Sequence, residues 1–165
     1  MTLLLLSVVA AVAAVSADQP WDAPRWGMTV SEVRAVVRQA QPGTKEDEDM
    51  STNPLTKVRL RSATSLFGRQ FAVYYEFSSD RQFDVERLAR ISLREAPYDA
   101  RATDALIQGL SSRYGAAVGD EGSDETRFVQ WEHEGNTVVL SEMRLHSGVK
   151  NAPLLYVVIQ PSASR

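Results

Sequence analysis

The stretch KVRLRSATSLFGRQFAVYYEF, residues 57–77, contains two alternating segments separated by a glycine. Over residues 57–63, Val58 and Leu60 alternate with basic residues, which is typical of a half-buried strand. Over residues 71–77, every second position is apolar, so one face of a second strand is apolar. Because LFGRQ between them supplies a turn glycine, we predict two antiparallel strands joined by a short turn.

A third strand follows and a helix precedes this pair. After the turn-like SSDRQ, the segment VERLARISL (85–93) places three apolar residues on one face, namely Ala89, Ile91 and Leu93. Upstream, Thr29 and Glu32 have the spacing of a capping box, and Pro42-Gly43 ends the apolar stripe, which predicts a helix from about residue 30 to residue 39. The acidic segment GTKEDEDMSTNP reads as a polar loop between helix and strands.

The second half of the chain repeats this order. DARATDALIQGLSSRYG (99–115) has a helical apolar stripe and a C-terminal glycine. ETRFVQWEHEGNTVVLSEMRL predicts two strands turning at Gly135-Asn136, a register that sets Trp131 opposite Leu140 and His133 opposite Val138. A strand formed by PLLYVVIQ (153–160) would be apolar on both faces, which predicts a central position in the sheet. The acidic segment GDEGSDE is predicted to be a loop.

These patterns predict an α+β fold. We expect two helix-strand-strand-strand units, a pseudo-repeat over 25–94 and 99–160, which form mostly antiparallel sheet with the helices on one face. Residues 18–165 then form a single domain, since a chain of about 150 residues buries a sufficient core of its own.

The first 17 residues, MTLLLLSVVAAVAAVSA, predict a secretory signal peptide. They are apolar and end in small residues at the positions that a signal peptidase reads, before Asp18. The apolar run is shorter than the roughly 20 residues that cross a bilayer. We therefore expect cleavage without a remaining membrane anchor, and a periplasmic or secreted protein.

The composition excludes several classes of function. With 18 basic and 21 acidic residues the net charge is −3, which gives no electrostatic case for binding nucleic acid or an anionic membrane. The sequence contains no cysteine, so disulfides, thiolate metal sites, a thiol nucleophile and a lipid-modified cysteine are all excluded. The sequence has no Gly-rich phosphate loop, because the glycines of GDEGSDE are interspersed with carboxylates that repel phosphate, and we expect no cofactor.

At WGMTVSEV, residues 26–33, the chain resembles a group of small exported bacterial domains. Members open with Gly-Met-Ser/Thr, two residues, then Glu-Val at a helix start, and many have a second helix ending like RYG at 113–115. The group includes the small lipoprotein of the outer-membrane β-barrel assembly machinery and the repeat units of secreted β-lactamase-inhibitor proteins. The resemblance implies a protein-binding or envelope-scaffold role in which a sheet is presented to a partner. The chain departs from the group in lacking a lipobox cysteine and in having one clear helix per repeat.

Candidate catalytic residues are few. The two histidines are His133, beside Trp131 in a predicted strand, and His146 in a predicted loop, and neither belongs to a nucleophile-elbow or His-Glu-x-x-His motif. A hydrolase pairing of His133 with Glu132 or Glu134 is disfavoured, because neighbours in a strand point to opposite faces. We expect a non-enzymatic protein.

The acidic segments and two aromatic residues are the candidate binding positions. Carboxylates of Asp47 and Asp49, and of Asp120 and Asp124, offer oxygens to a cation or a basic partner, although their spacing matches no known calcium loop and solvated loops are the alternative. Two aromatic residues are candidates for docking a partner: Tyr74, opposite the apolar face of its strand, and Trp21, expected to be exposed while Trp26 packs under the first helix. The alternative for both is that they fill the core or an edge of the sheet.

The leading hypothesis is therefore an exported module that binds a protein or envelope component through its sheet. The alternative hypothesis is a periplasmic protein that binds a small molecule or cation between the halves, at the two acidic segments.

Overall fold

The computed structural model describes residues 19, 21–48, 51, 53–80, 85–95, 103–143 and 154–163. The predicted leader 1–17, the first residues of the predicted second helix (99–102), and the candidates Asp49 and His146 lie outside these ranges. The helices are α1 (Val30–Val36), α2 (Lys45–Glu48) and α3 (Thr103–Tyr114). The strands are β1 (Gln41–Pro42), β2 (Thr56–Leu66), β3 (Arg69–Asp80), β4 (Val85–Glu95), β5 (Gly119–Gly122), β6 (Thr126–His133), β7 (Asn136–Met143) and β8 (Leu154–Pro161).

The strands form a single eight-stranded sheet in the order β1-β2-β3-β4-β8-β7-β6-β5, and every neighbouring pair is antiparallel. Each half of the chain forms a meander from one edge towards the middle, and the last strands of the two halves, β4 and β8, pair at the centre. The prediction that the final strand is central is confirmed, since β8 lies between β4 and β7.

The fold is richer in strand than the sequence predicted. Among the described residues 53% are strand and 19% are helix. Each half has four strands instead of three, because short edge strands β1 and β5 precede the meanders. Both segments expected to be acidic loops contain regular structure: α2 forms within the first, and β5 forms the start of the second.

The core lies on one face of the sheet, called the core face here, beneath α1 and α3. Val33 of α1 and Leu106 and Leu110 of α3 are buried in the same cluster as the alternate residues of the strands. These strand residues include Phe71, Val73, Tyr75, Phe77, Ile91, Leu93, Val129, Trp131, Val138, Leu140, Val157 and Ile159. The prediction of helices on one face holds for these two helices. The short α2 packs against β2, and its Asp47 contacts Arg61, which alternation places on the opposite face.

The helix start predicted from the sequence is confirmed. Thr29 accepts a hydrogen bond from the Glu32 backbone, and the Glu32 carboxylate accepts one from the Thr29 backbone at 2.7 Å, which completes the capping box. The helix ends at Val36, three residues before the predicted end. Hydrogen bonds between Gly27, Met28 and Leu88 tie the segment ahead of the helix to β4.

A β-bulge changes which face Ala89 occupies. The pairing of β3 with β4 shifts between Glu76 and Phe77, so that Phe77 faces Leu88 and Glu76 faces Arg90. Leu88, and not the predicted Ala89, is the buried residue at this point. The extra residue of the bulge restores a large apolar side chain to the core.

The turn between β6 and β7 lies one residue earlier than predicted. Its two positive-φ residues are Glu134 and Gly135, so Trp131 pairs with Val138 and His133 with Asn136. The predicted register would have set the charged Glu142 opposite Val129. The observed register instead pairs Val129 with Leu140, two fully buried apolar residues, and sets Glu142 opposite Arg127.

The hairpin at the equivalent place in the first half has the same turn chemistry. Phe67 and Gly68 both adopt positive φ, at +49° and +78°. Although Phe67 is 49% exposed, its ring lies against α3 at Gly109, where an added Cβ would come within 2.6 Å of the ring. The tip of the first-half hairpin therefore packs on the helix of the second half, and this contact requires glycine.

Within the described part of the chain, the helices are too short to cross a lipid bilayer.

The contact between Phe67 and Gly109 predicts a specific coupling in stability. In a Phe67→Ala background, Gly109→Ala should raise the free energy of unfolding by about 1 kcal/mol, because alanine is the better helix former. With Phe67 present, overpacking of roughly 1–3 kcal/mol should cancel or reverse that gain. Urea unfolding of the four proteins in this cycle measures the coupling. Equal effects of Gly109→Ala in both backgrounds would show that the ring does not rest on the helix.

Candidate functional site

A cleft of about 680 Å³, called the aromatic cleft here, opens on the core face. Three parts of the chain form it: the segment ahead of α1, the C-terminal end of α3 and the turn between β6 and β7. Its lining combines Trp21, Trp26 and Tyr114 with polar residues at the rim and with the buried Val138 and Ile159. Its volume is within the range of small-molecule sites.

Trp21 forms the deepest aromatic part of the cleft wall. It is only 7% exposed, and its indole N–H donates to the Tyr114 hydroxyl at 3.2 Å. The expectation that Trp21 is exposed is therefore wrong. A large apolar ring adjoining the core releases more free energy when buried than when solvated, and its N–H has a partner.

Arg113 closes one side of the cleft. Its guanidinium lies 5.8 Å from the Trp21 ring centre and 5.5 Å from that of Tyr114, and its Nη2 donates to both carboxylate oxygens of Asp22 at 2.6 Å. Burial raises the pKa of the Tyr114 hydroxyl. The cation thus lies against both rings while its charge is paired with Asp22, and these contacts fix the position of Arg113 at the side of the cleft.

Trp26 and His133 lie at the opposite side. The Trp26 indole donates to Asn136 Oδ1 at 2.6 Å, so this ring contacts the β6–β7 turn. The sequence had instead predicted that it packs under the first helix. The His133 ring lies 5.5 Å from Tyr114 and its Nε2 is 3.8 Å from Glu134. Glu132 instead reaches Thr137 and Ser162, which keeps it from assisting His133.

The face of the sheet opposite α1 and α3, called the far face here, contains Tyr74. Its side chain is half-buried, with the Arg94 guanidinium 5.7 Å from the ring centre. Burial raises the pKa of its hydroxyl, and the nearby negative charge of Asp47 adds to that effect. Tyr74 also lines a shallow groove of about 460 Å³ together with Arg61, Ala63 and Ala72. The structure thus places Tyr74 beside a groove, at the β2 side of the sheet.

The far face of the second half carries an apolar patch that was not predicted from the sequence. Phe128 is 44% exposed and Leu154 is 40% exposed. Met143 pairs with Leu154, while Tyr156 lies two residues along β8 on the same face. We call Phe128, Met143, Leu154 and Tyr156 the apolar patch. The period-2 alternation of the predicted strands carried this signal, because these residues occupy the positions between the buried ones.

The candidate acidic residues do not converge. Asp47 is buried, and its carboxylate accepts a hydrogen bond from the Thr44 backbone N–H at the start of α2, at 2.7 Å. The same carboxylate lies 3.5 Å from the Arg61 guanidinium. Asp120 binds Arg127 through two hydrogen bonds, which lower the pKa of its carboxyl. Asp124 is exposed between β5 and β6.

The two acidic segments adjoin opposite edges of the sheet, so the predicted placement between the halves is wrong. Across the described ranges, histidine and carboxylate side chains form no group of three suited to a metal ion.

A further carboxylate, missed from the sequence, is buried in the far face. Glu76 is 1% exposed and accepts hydrogen bonds from Ser51, Thr56 and Ser92 at 2.9, 2.8 and 2.6 Å, while Arg90 lies 3.9 Å away. The polar pattern of its strand gave no sign that it would be buried. Three donors and a cation satisfy the carboxylate, so Glu76 has a structural role.

Comparison of the chain with models of protein families, with curated proteins and with solved structures found no match. The family resemblance at residues 26–33 therefore stays a prediction.

Trp21 and Tyr74 should differ sharply as sites of substitution. Trp21→Ala removes a buried ring and should lower the free energy of unfolding by about 3–5 kcal/mol. Tyr74→Ala, at a half-buried position, should cost roughly 1 kcal/mol. Chemical unfolding followed by far-UV circular dichroism measures both, with Trp21→Phe as a control that keeps most of the packing. Similar losses for the two alanine variants would contradict the assignment of Trp21 to the core.

Proposed function

We propose that this protein is an exported, non-enzymatic module that binds a protein partner of the envelope or the extracellular space through the far face of its sheet. The proposal of export rests on the leader sequence, and the proposal of binding rests on the surface of the sheet. The observation that carries it is the apolar patch, where two large apolar side chains remain substantially exposed on one face.

The arrangement of the far face supports a protein partner. One cross-strand row runs through Phe128, Ser141, Tyr156, Arg94 and Ala72, and so spans five strands. Aromatic residues and arginine are the types enriched at the centres of protein interfaces, with small residues between them leaving room for side chains of a partner. Strands fix these positions more rigidly than loops would.

The proposal assigns no catalytic step. His133 packs against Tyr114 at the rim of the aromatic cleft, and Glu132 is engaged with Thr137 and Ser162. A general base needs a reacting group and an orienting partner within hydrogen-bond reach, and the 3.8 Å separation of His133 from Glu134 at the surface does not supply this.

Site-specific photo-crosslinking tests this function. A photoreactive phenylalanine analogue replaces Phe128 in the protein expressed in its own host, and the matched control carries it at Leu55, which is 75% exposed. We expect an adduct with a different protein at 128 and none at 55, recovered outside the cytoplasm with a mature N-terminus at Asp18. Equal labelling at both positions, no adduct at either, or retention of the leader in the cytoplasm would contradict the proposal.

A second candidate function is the binding of a small molecule in the aromatic cleft. The specific observation is its volume together with the aromatic wall of Trp26 and Tyr114. In this second candidate function the ligand binds in the aromatic cleft and not at the acidic segments.

The fluorescent probe anilinonaphthalene sulfonate, which combines apolar rings with an anionic group, distinguishes the two surfaces. Binding in the cleft should enhance its fluorescence, and Trp26→Ala should remove most of that signal because the ring loses its stacking wall. Phe128→Ala is the matched control on the far face and should leave the signal unchanged. A signal that disappears with Phe128→Ala and survives Trp26→Ala would remove the cleft from consideration.

A further inference from the structure

Within the described residues, the outer edge of strand β2 is only partly paired. Its eleven residues pair with β3 along their length, whereas β1 pairs on the other side only with Leu60 and Arg61. Over residues 62–66, called the window here, no described residue pairs with the outer main chain of β2. The side chain of Thr64 donates to Gln19 Oε1 at 3.2 Å, a contact that involves no main-chain group of these residues.

This window lacks the features that normally protect a sheet edge. Natural edges are blunted by charges, proline, bulges or short strands. Residues 62–66 read Ser-Ala-Thr-Ser-Leu, which contains no charge and no proline, and the bulge of β2 lies farther back, between Val58 and Leu60. The opposite edge differs: β5 has only four residues, GDEG, two of them acidic.

We propose that a second copy of this chain occupies the window, by antiparallel pairing of β2 with β2 about a two-fold axis. An antiparallel edge is complementary to itself, since each strand offers the same alternation of N–H and C=O groups to the other. The result is one sheet continuous through both copies. This inference goes beyond the proposed function, because it uses the edge of the sheet and leaves the apolar patch exposed.

The boundaries of the window fix the register. β1 ends the window on one side and the Phe67–Gly68 turn ends it on the other, so the two-fold axis passes through the central residue, Thr64. Thr64 then faces Thr64 of the second copy, and Ala63 faces Ser65. Alternation places Ala63 and Ser65 on the far face, where both are exposed in the single chain.

The chemistry of the window suits a second copy. Two identical charged edges would repel each other, whereas this edge is neutral. Its exposed side chains, Ala63 and Ser65, are small and let two strands approach to the ordinary spacing of about 4.8 Å. Because five paired residues bury much less than the roughly 1,600 Å² of a standard interface, the dimer should be weak and dependent on concentration.

Two double variants at the exposed positions test both association and register. In Ala63→Lys with Ser65→Lys, the proposed register sets lysine opposite lysine in both pairs. In Ala63→Lys with Ser65→Glu, the same positions set lysine opposite glutamate. Sedimentation velocity over a range of concentrations should show a monomer–dimer equilibrium for the unmodified protein, loss of dimer for the first variant and recovery for the second.

Cysteine crosslinking provides an independent measurement, because the chain has no cysteine of its own. Directly opposed strand residues have Cβ atoms about 4.5–5.5 Å apart, which suits a disulfide. Thr64→Cys should therefore form a disulfide-linked dimer at least tenfold faster than Thr126→Cys, a matched strand threonine in the second half. A protein that remains monomeric at high concentration, equal association of the two double variants, or equal crosslinking rates would overturn the proposal.

Discussion

The antiparallel pairing of β4 with β8 is the interaction on which the rest of the structure depends. It joins only four residue pairs, from Ile91–Ile159 to Arg94–Tyr156, yet it converts two separate meanders into one sheet. Ile91 and Leu93 thereby lie beside Ile159 and Val157, so the apolar faces of both halves merge into a single core. The same pairing makes the far face continuous, since Arg94 of one half lies next to Tyr156 of the other.

Reciprocal contacts at the hairpin tips reinforce this central seam. The tip of the first-half hairpin places Phe67 on Gly109 of α3, and the tip of the second-half hairpin receives the Trp26 indole through Asn136. Each half therefore contacts an element of the other half outside the β4–β8 pairing. A chain without cysteine has no disulfide between its halves, so non-covalent packing at these separated places holds them together.

Local patterns were sufficient to predict most of the regular structure. The capping box of Thr29 and Glu32, the alternation of residues 71–77 and the two-sided apolar character of β8 depend on near neighbours in sequence, and the structure confirms each of them. The edge strands β1 and β5 were missed because two or four polar residues carry no hydrophobic period. Their strand conformation comes from hydrogen bonds to longer strands, which are tertiary interactions.

The candidate site was less accessible to sequence reasoning for the same physical reason. Trp21 was expected to be exposed because it lies in a short segment ahead of the first helix, and its burial depends on residues far along the chain, such as Arg113 and Tyr114. The apolar residues of the far face were visible as the second alternation of each strand. Whether such residues are covered depends on how strands from both halves align, and that alignment is set at the central seam.

Two buried carboxylates help to explain why each strand pairs in one register, although a strand shifted by two residues would keep its side chains on the same faces of the sheet. A shift of two residues keeps every side chain on its own face, so hydrophobic burial alone discriminates weakly between such registers. Glu76 must meet Ser92 and Thr56, and Glu142 must meet Thr103 at the start of α3. A slipped strand would leave either charge buried without its donors, at a cost of several kcal/mol. These two glutamates, one in each half and on opposite faces of the sheet, therefore favour the observed register over a shifted one.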